Sequence, residues 1–403
     1  MMGGMSIHMQ AVGPSTAELS RGVRSGSRKR AALLCAVAAM MILSDCYALF
    51  GSRISALKYV ALALLALTCL TNAVSTPVPK NRMMIAAIAV AMLVLEIPYQ
   101  MGLDQMLLPI GLFALLGVVI CFSSTVLRTR EGLLVIGLFS MMLVVVLLLI
   151  SWRECLAQWR FYVGIGRPRL KGCFSNPNSL GGISSIALIM CIYGTPSTIW
   201  EVRLRKLFIL LAGAAIILSG SRTSILMVVG FIMLFAYQIA LRKTVDSRIR
   251  LLFLFGAMMV AAICIVGLYR TVQYDAAVTG RLQSLYSMRG EGRQLLVGLG
   301  YVSSKEVNLL TEAAGGVVDM LPVSLFYKVG IIGIIAYSLL LISTGAGIKQ
   351  ENKPAYYAFL FAIALQAIGE SYLSSVMSFP SCFIWVLLSS LPLIVMEGTA
   401  NKQ

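Results

Sequence analysis

Apolar runs about as long as a bilayer is thick recur along this 403-residue chain from residue 31 to residue 396. A hydrocarbon core of roughly 30 Å needs about 20 apolar residues per helix, and a lipid-embedded backbone must satisfy its own hydrogen bonds. The runs therefore read as about twelve transmembrane helices, centred on 31–50, 58–75, 83–98, 106–124, 133–152, 179–199, 207–219, 221–241, 251–268, 322–345, 356–374 and 379–396. The seventh and eighth meet at Ser219 to Arg222, either as a tight hairpin or as one broken helix. With 59% apolar and 12% charged residues the chain lies outside ordinary globular usage. The expected fold class is an all-α integral membrane bundle.

A net charge of +17 raises the question of nucleic acid, but the basic residues are scattered over short loops and form no single stripe. A nucleic-acid partner is therefore rejected, and membrane lipid is the expected surroundings. Lys and Arg concentrate on the cytoplasmic side of membrane proteins. Arg21, Arg24, Arg28, Lys29 and Arg30 precede the first run and place the N-terminus inside. Alternate loops agree through Lys80 and Arg82, Arg128 and Arg130, Arg203, Arg205 and Lys206, Arg242 to Arg250, and Lys349 with Lys353. An even number of spans returns the C-terminus to the inside. Residues 1–30 are expected to be a disordered cytoplasmic lead, 31–396 the membrane domain and 397–403 a cytoplasmic tail.

Two expected outer loops, about 153–179 and 269–321, are long for a compact bundle and mix aromatic residues with charge. The stretch 302–319 reads as one or two short amphipathic helices. Against the charge rule, the first loop carries Arg153, Arg160, Arg167, Arg169 and Lys171, and the second Arg270, Arg281, Arg289, Arg293 and Lys305. Arg222 stands at an outer span end between them. Guanidinium groups clustered there suit an anionic ligand such as phosphate; individually, many would equally be solvated loop charges or headgroup contacts. Of the nine cysteines, Cys155 and Cys173 share the first loop and are candidates to pair in an oxidising compartment. No metal-ligand spacing, phosphate loop or serine-hydrolase elbow is present, so neither cofactor nor metal is expected.

The arginine, glycine, phenylalanine and Asn176-Pro177-Asn178 pattern of residues 169–181, the Ser-Gly-Ser-Arg-Thr run at 219–223, Gly298-Leu299-Gly300, and Asp319 followed by residues 327–333 resemble the O-antigen polymerase and ligase superfamily. The resemblance covers roughly residues 150–340. It implies a multispan glycosyltransferase of the GT-C type, acting on undecaprenyl diphosphate-linked oligosaccharide at the outer face of a bacterial cytoplasmic membrane. O-antigen, capsule or exopolysaccharide is the product class implied, with a separate chain-length regulator and flippase as partners. Ligases of that family typically carry a His in the long outer loop, whereas the single His here is His8. Polymerase is favoured over ligase on that departure.

In such chemistry, fixed cations stabilise a departing diphosphate without a metal ion. Arg169, Arg222 and Arg289 are the expected cations, with Arg281 and Arg293 as further contacts. Asp319 is the expected general base, while Glu291 reads either as a second base or as a salt-bridge partner of Arg289 and Arg293. Asn176 and Asn178 open the sixth span, where they cap a helix, touch a sugar, or do both; Ser221 is a further substrate contact. A transporter is the competing class. It would use membrane-buried carboxylates, and Asp45, Glu96 and above all Glu370, one turn after Gln366, are the candidates.

Overall fold

The computed structural model describes residues 16–74, 76–100, 106–164, 169–242, 296–298, 321–367, 370, 372 and 377–394. Among them the regular structure is helical throughout: α1 (Thr16–Ser44), α2 (Tyr47–Phe50), α3 (Leu57–Ala73), α4 (Lys80–Gln100), α5 (Leu107–Val126), α6 (Arg130–Ile150), α7 (Trp152–Gly164), α8 (Pro177–Tyr193), α9 (Ile199–Ser219), α10 (Arg222–Arg242), α11 (Leu321–Thr344), α12 (Lys353–Ala367) and α13 (Phe379–Ser390). Residues 16–30, expected as part of a disordered lead, lie within α1.

Five helical segments are long and apolar enough to cross a membrane: Ser52–Ala73, Lys80–Tyr99, Leu107–Val126, Arg130–Ile150 and Arg222–Ile239. Pro177–Tyr193, Lys328–Thr344 and Phe379–Leu393 are apolar but shorter. The described residues thus support a helical membrane protein without reaching twelve spans, and the expected run at 251–268 lies outside them. Leu95, Leu149, Leu210 and Ile217 are each more than three-fifths exposed. Large apolar side chains turned outward in this number are covered by lipid in a membrane protein.

At the centre stand α8 and α13. Every residue of α13 is buried, and on α8 only Asn178, Ser179 and Ile192 escape full burial. Helices apolar on all sides belong inside a bundle. Around this pair, α6 and α9 pack on α8, α5 packs on α13, α10 on α12, α11 on α4, and α1 on α3 and α6. Short polar residues start the helices. The side chains of Thr129, Asn176, Thr198 and Ser378 accept backbone N–H groups at the first turns of α6, α8, α9 and α13, relieving donors that have no partner inside the helix.

The junction of α9 and α10 is a tight turn between two helices. Gly220 closes α9 with φ of 62°, a left-handed cap that glycine adopts without Cβ strain. Beyond it α10 packs chiefly on α12 and α8 rather than back along α9.

One end of the bundle is stapled by arginine. Arg82 is fully buried and donates from Nη1 to the Ser389 carbonyl at 2.7 Å and from Nη2 to the Thr344 carbonyl at 2.8 Å. These carbonyls lie at the C-terminal ends of α13 and α11, where unpaired oxygens carry partial negative charge. Arg130 bonds the Tyr193 hydroxyl at 2.9 Å with its guanidinium 4.2 Å from the ring centroid. Tyr193 in turn donates to Asn352, whose Nδ2 reaches the Pro392 and Ile394 carbonyls. Arg30 bonds the Thr125 carbonyl and Arg205 that of Ile192. Arg30, Arg82, Arg130 and Arg205 all come from segments that the charge pattern assigns to one side of the membrane.

Candidate functional site

The opposite end is where α1, α6 and α9 finish and α8, α10 and α13 begin. The two polar stretches singled out in the sequence meet there. Leu170 N donates to the Leu218 carbonyl at 2.7 Å, laying the loop before α8 along the end of α9. Arg169 is then held from two sides: Nε donates to the Ser219 carbonyl at 3.2 Å and Nη2 to Asn178 Oδ1 at 2.5 Å. Two of its five N–H donors are used in these bonds, and the guanidinium plane is fixed. Asn178 therefore acts through Arg169 as well as standing at the helix start. Its carbonyl also accepts the Tyr372 hydroxyl at 3.0 Å.

Asn176 is the cap of α8, its Oδ1 accepting Ser179 N at 2.8 Å, and Pro177 occupies the first helical position, where a missing N–H costs nothing. Ser221 is buried, its Oγ 2.8 Å from Ser224 Oγ and its N–H donating to Ser219 Oγ. This hydroxyl cluster lies under Gly181: a Cβ there would stand 2.6 Å from Ser221 Cβ and 2.8 Å from Ser224 Oγ. The glycine permits α8 and the α9–α10 turn to touch. Arg222, the first residue of α10, is exposed and makes no hydrogen bond or ion pair among the described residues.

Asp45, just past α1, joins the same end. Its carboxylate interacts with the Ser175 and Ser179 hydroxyls and feels the charge of Lys171. Beside it, Cys173 Sγ lies 3.4 Å from Cys46 Sγ. Cys155 and Cys173, candidates to pair, are free thiols, as is Cys46, and Cys173 sits against Cys46, a residue 127 positions away that nothing in the local sequence marks. Cys155, half-buried on α7, contacts Ser151 Oγ at 3.7 Å, and burial lifts its thiol above the ordinary range.

Gly298 and Gly330, from two further stretches of the resemblance, also meet. Both have positive φ, 72° and 58°, and a Cβ on either would collide with the other segment's backbone. Glycine at both positions permits that crossing, and α11 departs from helical geometry at Gly330. Below it Glu96 is 3% exposed, and neither carboxylate oxygen has a hydrogen bond.

Glu370, the carboxylate expected deepest, is half-buried. Helix α12 ends at Ala367, and Glu370 lies beyond its last turn with its N–H on the Gln366 carbonyl. Arg281, Arg289, Glu291, Arg293 and Asp319, and the short helices expected at 302–319, lie outside the described residues. Among the described residues no group of three or more His, Cys, Asp or Glu is placed to hold a metal ion.

Asp45 and Tyr372 were not legible as parts of this site. Each is an ordinary polar residue whose importance comes from a partner distant in the chain. No protein-family model matches this chain, and no curated protein matches it in sequence.

Proposed function

We propose that the chain is a membrane glycosyltransferase of about twelve spans that polymerises undecaprenyl diphosphate-linked repeat units into a surface polysaccharide. The observation that carries this reading is the assembly, at one end of the bundle, of a fixed arginine and an unpaired one from stretches 53 residues apart (222 − 169). Arg169 is held by Ser219 and Asn178, while Arg222 stands exposed at the start of α10.

A departing diphosphate develops negative charge, and donors already aimed at it lower the barrier most, because they need no reorganisation during reaction. Arg169 has the fixed orientation this asks for. Arg222 adds a second cation beside the N-terminal N–H groups of α10, which favour anions. In this reading the leaving diphosphate lies against the two arginines, its lipid tail runs down the apolar flank of the bundle, and Asp319 takes the proton of the attacking hydroxyl. This end of the bundle then faces outward, with both termini cytoplasmic.

The test is a reaction in liposomes containing an undecaprenyl diphosphate-linked repeat unit, with wild type and Arg222→Ala compared by gel. A ladder of product lengths from wild type, lost in the variant, is the expected result. A product formed only when a different acceptor is added would replace polymerase by ligase. Unchanged lipid-linked sugar crossing the bilayer would overturn the transferase reading.

A further inference from the structure

Cys46 and Cys173 are both fully buried. Their sulfurs, 3.4 Å apart, make the one thiol–thiol hydrogen bond among the described residues. A disulfide, with ~2.05 Å between its sulfurs, would draw them closer still. Burial, however, shields both from an oxidant in solution. Cys155 offers a way in. It is the least buried of the three, and its sulfur lies 3.7 Å from Ser151 Oγ. A Cβ on Gly172, the neighbour of Cys173, would stand 3.5 Å from Cys155 Sγ. The three thiols thus form a short series from a half-exposed helix to the bundle interior.

We propose that Cys46 and Cys173 form a reversible disulfide, loaded through Cys155, that ties the loop carrying Arg169 to the end of α1. The oxidant is a small-molecule or protein disulfide. Cys155 thiolate attacks one sulfur of it, giving a mixed disulfide and releasing the first thiolate. Cys173 attacks the Cys155 sulfur and releases the second. Cys46 then attacks Cys173 and returns Cys155 to its thiol. Two electrons pass from Cys46 and Cys173 to the oxidant, which leaves as two thiols carrying their two protons. Exchange of this kind needs a thiolate at each attack, and the raised Cys155 thiol makes loading slow, as befits a clamp set once rather than a rapid sensor. In the reduced form the loop is held by Leu170 on Leu218 and by Arg169 on Ser219; the disulfide adds a covalent tie on the α1 side. The proposal stands independently of the sugar chemistry.

The test uses the full chain in lipid nanodiscs, reduced and then exposed to oxidised glutathione. Free thiols are alkylated after denaturation and the peptides mapped by mass spectrometry. Wild type is expected to lose two of its nine alkylatable thiols and to yield a Cys46–Cys173 linked peptide. Exchange of the amides between residues 169 and 176 is expected to slow relative to the reduced form. Cys155→Ser is expected to reach the same product at least about tenfold more slowly. Cys46 and Cys173 both remaining alkylatable, or a final Cys155–Cys173 link, overturns the proposal, and the wild-type map decides this whether or not a variant folds. An undiminished rate in Cys155→Ser removes the loading route, and unchanged amide exchange removes the clamp.

Discussion

The two ends of the bundle use arginine in opposite ways. At one end Arg82, Arg130, Arg30 and Arg205 are each bonded to a helix-end carbonyl or a tyrosine, and Arg82 is fully buried. At the other Arg169 is oriented by Ser219 and Asn178 and Arg222 is exposed. A buried guanidinium is tolerable only where oxygens replace its water, so Arg82 is committed to holding helices together. An arginine that stands exposed, as Arg222 does, has no such duty and is available to a ligand. Composition counts these residues alike; their partners separate them.

The comparison is broken most directly at the stapled end. Arg82→Ala should be the most damaging substitution for stability, about 3–5 kcal/mol, because it leaves carbonyls of α11 and α13 buried without donors. A lower unfolding temperature in detergent and loss of monodisperse protein would register it. Should Arg82→Ala unfold no more readily than wild type, the assignment of that end to architecture fails.

Arg222→Ala should do the reverse, leaving thermal stability unchanged while lowering transfer activity about 100- to 1000-fold. Equal losses of stability and activity would show that Arg222 is structural after all. Gly181→Ala sharpens the distinction within the site end, because its methyl group would press on Ser221 and Ser224. A cost of about 1–3 kcal/mol is expected for such overpacking, together with reduced activity as the α9–α10 turn is pushed away from α8. Normal activity in that variant would mean that the contact of the two stretches is incidental. Smallest of all, Asn176→Ala should cost about 1 kcal/mol as a lost helix cap, measured by thermal unfolding. A large activity loss with unchanged stability would instead make Asn176 a ligand contact.

How legible this protein is in its residues depends on how far apart the interacting groups are. The apolar runs that became α3, α4, α5, α6 and α10 were readable because bilayer thickness imposes a length on each run separately. The cap at Asn176 was readable because a capping bond reaches only three residues ahead. The grouping of Arg169 with Ser219 and of Cys173 with Cys46 could not be read at all, since neither pair shares a periodicity or a spacing.

Residue order by itself determined that the chain is a helical membrane protein, where most helices run, and that the stretches 169–182 and 218–224 are costly to hold at span ends without a purpose. Those are local consequences of hydrophobic length, turn chemistry and charge. Tertiary structure alone decided that the two stretches touch, that Gly181 and Gly330 sit where a side chain would collide, and which arginines are buried in the bundle and which stand exposed. The physical reason is that a hydrogen bond or a packed contact depends on distance in space, and in a bundle of many helices distance in space is set by packing rather than by separation along the chain.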